Sequence, residues 1–406
     1  MGTGRKAPHP FRDHVDSGSW ERTTTVRSRR SVERIKKRLN VLQLISSGGY
    51  FGGENVLAQL AGELKDSEWY RPVVGVFNNF RNSHLEIAEV CQKNNIETHI
   101  LPCEGRFDLK AVMQLRRFIR QNKMDIIHSH GYKADVYSFF ADYCLATVHV
   151  STCHNWLGDE ARMKFYAALD RLFLRKFDQV IAVSEGIKGK LIESGISSQK
   201  VTIIQNGISM NRFDIGQSGK DIRKELGIAN GSAVVGTVGR LSSEKGHRIL
   251  LMAAKTILEQ VPGTLFIIVG DGPLKSKLQQ EFNSSGIVFT GIRNDVPDLY
   301  RAMDLFVLPS FTEGFPMVLL EAMASKLPIV ATRVGEVPSL INRENGILVE
   351  PGDVEGIKQA VVYFLRNRSI AKGMGQKGYQ RVRDHFSSER MAGDYMDVYR
   401  STMNTT

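Results

Sequence analysis

Glu313 and Glu321 have seven residues between them in Ser310-Phe-Thr-Glu-Gly-Phe-Pro-Met-Val-Leu-Leu-Glu-Ala-Met-Ala324, and their settings differ. Glu313 lies in a polar loop after the apolar run Asp304-Leu-Phe-Val-Leu-Pro309. Glu321 is the one charge in the otherwise apolar run Met317–Ala324. A carboxylate there is costly to bury unless something donates hydrogen bonds to it. Pro316 fits the first position of a helix, where a missing N–H is no loss. The free N–H groups of such a loop and the positive end of the helix attract an anion or the hydroxyls of a sugar. The segment therefore reads as a ligand-binding strand, loop and helix, with one acid at the mouth and one inside. The competing reading is two surface or capping glutamates.

Two cations and three histidines accompany these acids. Val238-Gly-Arg-Leu-Ser-Ser-Glu-Lys-Gly-His247 follows an apolar strand and places Arg240 and Lys245 at its carboxyl end. A planar guanidinium fork beside a point-charge ammonium suits a diphosphate. A surface ion pair through Glu244 is the alternative. An earlier glycine turn, Ser46-Ser-Gly-Gly-Tyr-Phe-Gly-Gly-Glu54, frees backbone N–H groups for a phosphate. Its Gly-Gly-x-x-Gly-Gly spacing is neither a dinucleotide fingerprint nor a P-loop. His128 and His130 share one face of the strand ending at Gly131, and His154 ends the strand Ser151-Thr-Cys-His. One strand-end histidine is usually structural; two at neighbouring strand ends suggest a shared cleft.

These residues need a scaffold of alternating strands and helices. Buried strands are expected at Leu39–Ile45, Pro72–Phe77, Ile96–Leu101, Asp125–His128, Thr147–Thr152, Gln179–Val183 and Val201–Ile204. Helices are expected between them, among them Glu54–Leu64, Leu109–Gln121, Arg162–Lys176 and Ile187–Glu193. A second series runs through Ala233–Val238, Leu265–Val269, Gly286–Thr290, Leu305–Leu308 and Ile329–Ala331. This is an α/β protein of two doubly wound, Rossmann-like parallel-sheet domains facing across a cleft. The expected division is a basic leader 1–38, a first domain 39–208, a second domain 209–386 and a helical tail 387–406. The linker falls near 206–215, and a turn at His385-Phe386 precedes the tail.

Composition narrows the class. The 406 residues are 42% apolar, enough for two cores. No apolar run reaches the ~20 residues of a membrane span, and the polar N-terminus has no signal-peptide core. Cys91, Cys103, Cys144 and Cys153 lack metal-ligand spacing and read as reduced thiols of a cytoplasmic protein. Of the net charge of +11, the leader carries +7. Such a leader reads as disordered, and either holds the chain at an anionic membrane face or is a solvated tail. Nucleic-acid binding is disfavoured, because no aromatic residues interleave the charges.

Taken together, Gly239-Arg240…Lys245-Gly246, Val269-Gly-Asp-Gly-Pro273, Phe289-Thr-Gly291 and Glu313-Gly-Phe-Pro316…Glu321 resemble the retaining nucleotide-sugar glycosyltransferases of family four, which have the GT-B fold. The resemblance spans about residues 39–400, including the Gly105-Arg-Phe-Asp-Leu109 loop and the helical tail, which in the family crosses back to the first domain. It implies that Arg240 and Lys245 bind the donor diphosphate and that Glu321 holds the ribose hydroxyls. Glu313, with the backbone of Gly314 and Phe315, would grip the donor sugar. His130 would lie near the transferring sugar, and Gly49 would approach the diphosphate from the other side. Arg106 and His154 are acceptor-side candidates.

The sequence contains no Asp-x-Asp, so two fixed cations would do the work of a metal, and no cofactor is expected. No convincing carboxylate pair brackets the scissile bond, which favours front-face substitution without an enzyme nucleophile. The partners implied are a nucleoside-diphosphate sugar and a lipid-linked or other membrane-borne acceptor, in glycolipid or polysaccharide assembly. The chain would then be peripheral at the inner membrane face. A soluble acceptor, a nucleotide-sugar epimerase on the same fold, a dehydrogenase and a non-catalytic sugar-nucleotide-binding module are the competing readings.

Overall fold

The computed structural model describes residues 38–105, 107–142, 145–154, 171–214 and 219–405. The leader 1–37, Arg106 and most of the helix expected at Arg162–Lys176 lie outside the described residues.

Two parallel sheets form the frame. The first contains β1 (Leu39–Ile45), β2 (Tyr70–Asn78), β3 (Glu97–Pro102), β4 (Ile126–His130), β5 (Val148–Cys153), β6 (Gln179–Ala182) and β7 (Val201–Ile203). Their order is β3-β2-β1-β4-β5-β6-β7. The second contains β8 (Ala233–Val238), β9 (Thr264–Val269), β10 (Ile287–Gly291), β11 (Leu305–Leu308), β12 (Ile329–Thr332) and β13 (Gly346–Val349), ordered β10-β9-β8-β11-β12-β13. Central strands β4 and β11 are both buried along their whole length; β11 reads as an unbroken apolar run, whereas β4 carries His128, Ser129 and His130 inside.

In each sheet the chain winds outward from the first strand, then crosses over to its other side. The reversal falls between β1 and β4 and again between β8 and β11. Open α/β sheets leave a crevice at such switch points, beyond the carboxyl ends of the strands. The doubly wound expectation is borne out. The edge strand β13 was not foreseen. It has four residues, opens with a glycine, and follows the turn Asn342–Asn345 that hydrogen-bonds to itself, so its sequence reads as loop.

The chain passes between the sheets twice at one place. Ile208 N donates to Phe386 O (2.8 Å), and Ser388 N donates to Ile208 O (3.0 Å). A Cβ at Gly207 would lie 2.3 Å from Ser387 O, so a side chain there would push the two crossings apart. Beyond this point the helix Ser388–Thr405 buries Met391, Ala392, Tyr395, Val398 and Tyr399. Ser388 Oγ donates to Glu63 Oε1 (2.7 Å) on the helix Gly52–Asp66, and Tyr70 OH donates to Met396 O (3.1 Å). Buried residues of both sheets and of this helix, among them Val41, Val150, Phe306, Ile329 and Tyr395, belong to one contiguous apolar cluster. Each large side chain so buried contributes about 1.5–3 kcal/mol.

Candidate active site

The second-sheet half of the crevice is built from the loops after β8, β9 and β11. Gly239 N donates to Val269 O (3.0 Å), Leu241 N to Asp271 O (2.9 Å) and Leu274 N to Leu241 O (2.9 Å), which ties the first loop to the second. Phe311 N donates to Glu244 O (2.7 Å), tying it to the third. Gly246 begins the helix His247–Gln260 in a left-handed conformation, φ +64°, and a Cβ there would come within 2.0 Å of Pro309 O. Only glycine lets the β8 loop approach the β11 loop this closely.

That approach joins Lys245 to Glu313. Lys245 Nζ lies 2.8 Å from each carboxylate oxygen, and Ser310 Oγ donates to Oε1 at 2.7 Å. The Glu313 side chain is only 6% exposed, so the ammonium is its main compensation, while Lys245 keeps 29% of its own surface in solvent. Arg240 is exposed in the same turn and makes no ion pair with a described residue. Gly314 O accepts from Glu336 N (3.3 Å), and Phe315 is buried with its ring 6.0 Å from that of Phe386. The helix itself starts at Met317, so Pro316 stands one position earlier than its sequence suggests, at the cap.

Glu321 sits on that helix, partly buried. Tyr300 OH donates to its Oε2 at 3.0 Å. Burial pushes the carboxyl up to about 7, against the opposing pull of the Tyr300 hydrogen bond and of the Arg212 charge. Arg212 Nη1 in turn donates to Asn55 Oδ1 (2.8 Å), which also accepts from Tyr50 OH (3.3 Å). Burial raises the Tyr50 hydroxyl to about 12. Glu321 therefore faces a polar group drawn from the first glycine turn and the inter-sheet segment. Sequence reasoning passed over Arg212, Asn55 and Tyr50. Only Tyr50, lying inside a glycine turn, carried a signal.

The first-sheet half lies opposite. Gly49, at φ +143°, is held by Ser47, whose Oγ accepts from Gly49 N (3.1 Å) and donates to Gly49 O (2.6 Å). Glu54 accepts from Phe51 N (3.1 Å), so this turn already carries one carboxylate of its own. A Cβ at Gly52 would touch Met317 Cγ at 3.3 Å, and one at Gly314 would lie 3.5 Å from His154 O. The starts of the two helices thus abut, with His154 between the halves.

The histidines form one buried hydrogen-bonded chain. His130 Nδ1 is 3.1 Å from His154 Nε2, and His130 Nε2 is 2.8 Å from Gln43 Oε1. Gln43 Nε2 donates to Tyr399 OH (3.0 Å), which is 2.7 Å from His128 Nδ1. His128 Nε2 meets Thr152 Oγ1 at 2.7 Å, and Thr152 Oγ1 meets Tyr395 OH at 3.0 Å. Burial lowers His128 to about 3, His154 to about 4 and His130 well below its ordinary value, so all three rings are neutral. Both ring nitrogens of His130 are occupied within the protein. Of the ring nitrogens of these three histidines, the buried Nδ1 of His154 has no hydrogen-bond partner among the described residues. Sequence placed the histidines at the right strand ends but could not show which of their ring nitrogens are partnered inside the protein.

Comparison with known proteins identifies the family. Residues 51–212 match the model of Glycosyltransferase Family 4, and residues 232–367 match that of Glycosyl transferases group 1. The chain is 30% identical over 308 residues to the Escherichia coli UDP-Gal:alpha-D-GlcNAc-diphosphoundecaprenol alpha-1,3-galactosyltransferase, covering 72% of this chain and 79% of that one. This chain belongs to the family four glycosyltransferases. The glycosyltransferase is also 24% identical to CapM of Staphylococcus aureus, a capsular polysaccharide biosynthesis glycosyltransferase, over 77% of this chain and 87% of that one. In fold it matches Anabaena HepE, solved with UDP and glucose, with a TM-score of 0.78 and 23% identity. That match covers 90% of this chain and all of HepE. The GT-B architecture is therefore established for the glycosyltransferase, and these matches give the epimerase alternative no support.

Proposed function

We propose that this glycosyltransferase moves a sugar from a nucleoside-diphosphate sugar to an acceptor hydroxyl with retention of anomeric configuration, without a metal. The observation that carries the reading is the grouping of Arg240, Lys245 and Glu313 at the β8/β11 switch point, opposite His154 at the end of β5. Arg240 and Lys245 meet the diphosphate, Glu321 takes the ribose hydroxyls, and Glu313 with the Gly314–Phe315 backbone meets the sugar. The anomeric C–O bond breaks with its electron pair passing to the diphosphate, where the two cations stabilise the growing charge. The acceptor oxygen bonds to the anomeric carbon on the same face, and its proton passes to the departing phosphate oxygen. His130, with both ring nitrogens taken up inside the protein, acts by holding His154 at the first-sheet side of the crevice.

The acceptor is membrane-borne. Asp108 caps the helix Leu109–Gln121 by accepting from Lys110 N (2.9 Å), and the exposed face of that helix carries Leu109, Lys110, Met113, Arg117 and Arg120. Phe107, Leu109 and Met113 are 48%, 66% and 62% exposed, an apolar edge beside cations that suits an anionic lipid interface. The Escherichia coli relative is named for an acceptor on diphosphoundecaprenol, which supports the same reading. Among the described residues no helix is long and apolar enough to cross a membrane, so contact with the bilayer would be peripheral. Incubation with a panel of nucleotide sugars tests the function: release of nucleoside diphosphate supports it. An epimerised nucleotide sugar, or binding without turnover, contradicts it.

A further inference from the structure

Two consecutive residues of the segment between the sheets support Glu321 from different sides. Phe213 is buried, and its ring lies 6.3 Å from that of Tyr300, whose hydroxyl donates to Glu321 Oε2 (3.0 Å). Arg301 Nη2 donates to Phe213 O (3.0 Å), which fixes the segment to the helix Val296–Ala302. Arg212, one residue earlier, is exposed and turns to the first sheet's helix Gly52–Asp66. Its Nη1 donates to Asn55 Oδ1 (2.8 Å), and Ser209 N donates to Gln59 Oε1 one turn further along the same helix. A guanidinium only donates, so the Asn55 atom that meets it is the amide oxygen, and this amide has one sense. Asn55 is itself buried, and the same oxygen accepts from Tyr50 OH (3.3 Å).

The segment is thus tied to both halves of the crevice, and this fixes Arg212 beside Glu321. The two helices abut where Gly52 meets Met317, and Asn55 and Glu321 each stand about one turn in from that contact. Arg212 makes no ion pair with a described residue. The groups facing Glu321 are the Tyr300 and Tyr50 hydroxyls and the Arg212 guanidinium. Burial keeps both phenols neutral, with Tyr50 raised to about 12 and Tyr300 well above its ordinary value. Arg212 therefore brings the one charge among these three, and it opposes the effect of burial on the carboxyl.

We propose that Arg212 is a positioning residue for donor binding. Anchored on Asn55, its guanidinium balances the Glu321 carboxylate and keeps it an acceptor for the donor's ribose hydroxyls. The grip on the nucleoside is built on the second sheet, yet it then depends on a residue of the first. The role at the donor rests on the glycosyltransferase reading, whereas the charge coupling of Arg212 to Glu321 does not.

The experiment uses the full chain labelled with 13C at the glutamate carboxyl, as wild type, Arg212→Met, Arg212→Lys and Asn55→Ala, with Glu321→Gln to assign the signal. In the free protein Glu321 should titrate about half a pH unit or more higher in Arg212→Met than in wild type. Arg212→Lys, which keeps the charge, should stay near wild type, and Asn55→Ala, which frees the guanidinium, should fall between. Dissociation constants are then measured for UDP-glucose, or for whichever of GDP-mannose and ADP-glucose binds better. Arg212→Met should bind about threefold or more weaker than wild type at pH 6 and equally well at pH 9, where the carboxylate is ionised in both. A merely structural loss would weaken binding alike at every pH and leave the titration in place. An unmoved Glu321 midpoint in Arg212→Met, an equal shift in Arg212→Lys, or a weakening equal at pH 6 and pH 9 would overturn the proposal. A moved midpoint in a protein that binds none of the three nucleotide sugars would count against the glycosyltransferase reading and leave the charge coupling standing.

Discussion

If Glu321 takes the ribose hydroxyls as proposed, donor binding should release a proton. Its carboxyl titrates near 7 in the folded protein because burial penalises the charge more than Tyr300 and Arg212 relieve it. Two ribose hydroxyls donating to the carboxylate would hold it ionised, with a bound value below about 5. Binding at pH 7 should then release ~0.5 proton, rising to ~0.8 at pH 6 and falling to ~0.1 at pH 8. Affinity should be nearly tenfold weaker at pH 6 than at pH 8. The assay is titration calorimetry of UDP-glucose, whose diester diphosphate does not titrate in this range, in buffers of differing ionisation enthalpy. Glu321→Gln should abolish the buffer dependence. If wild type and variant release the same number of protons at pH 7, Glu321 does not hold the ribose.

The same shift governs stability, with the sign set by a folded value above the unfolded one. The folded state gains from protonation below about pH 4.5, and this contribution, ~3 kcal/mol, is lost as pH rises through 7. Glu321→Gln should therefore be more stable than wild type at pH 8 and equal to it near pH 4.5, a difference thermal melts at the two pH values would show.

Other expectations concern the cations and the membrane. Lys245→Ala and Arg240→Ala should each cut turnover by about 10²-fold, because each removes charge that stabilises the departing diphosphate; wild-type turnover in either would contradict the assignment. Lys245→Ala should also cost about 1–3 kcal/mol by leaving Glu313 with Ser310 alone. Lys245→Met with Glu313→Gln should recover part of that loss in a denaturant melt. Transfer should persist in EDTA; activity lost to chelator and restored by magnesium or manganese would refute the two-cation account. The protein should sediment with anionic liposomes at low salt and release as salt rises, each cation being worth at most about 1 kcal/mol. No binding at low salt would favour a soluble acceptor.

The frame was legible because buried parallel strands are apolar on both faces, and because each sheet places a glycine turn directly after its first strand. Residue types were legible too: a lone carboxylate in an apolar helix, and two cations in one turn. Distances were not. Nothing in the sequence joins Lys245 to Glu313, which lie on loops of different strands and meet because Gly246 packs against Pro309. Nor does it show that both ring nitrogens of His130 are taken up inside the protein, by Gln43 and His154. Gln43, which meets His130, also meets Tyr399, a residue from the opposite end of the chain. Arg212 and Asn55 escaped notice for the same reason, each being an ordinary polar residue until the fold sets them beside Glu321.

The most direct test of the central claim is the stereochemistry of transfer. The full chain is incubated, with EDTA present, with a UDP-sugar and a polyprenyl-diphosphate-linked sugar acceptor, and the product is followed by proton NMR. The account predicts nucleoside diphosphate release coupled to a new glycoside whose anomeric proton shows the donor's configuration. A product of inverted configuration, or none with any nucleotide sugar and acceptor tried, would contradict it.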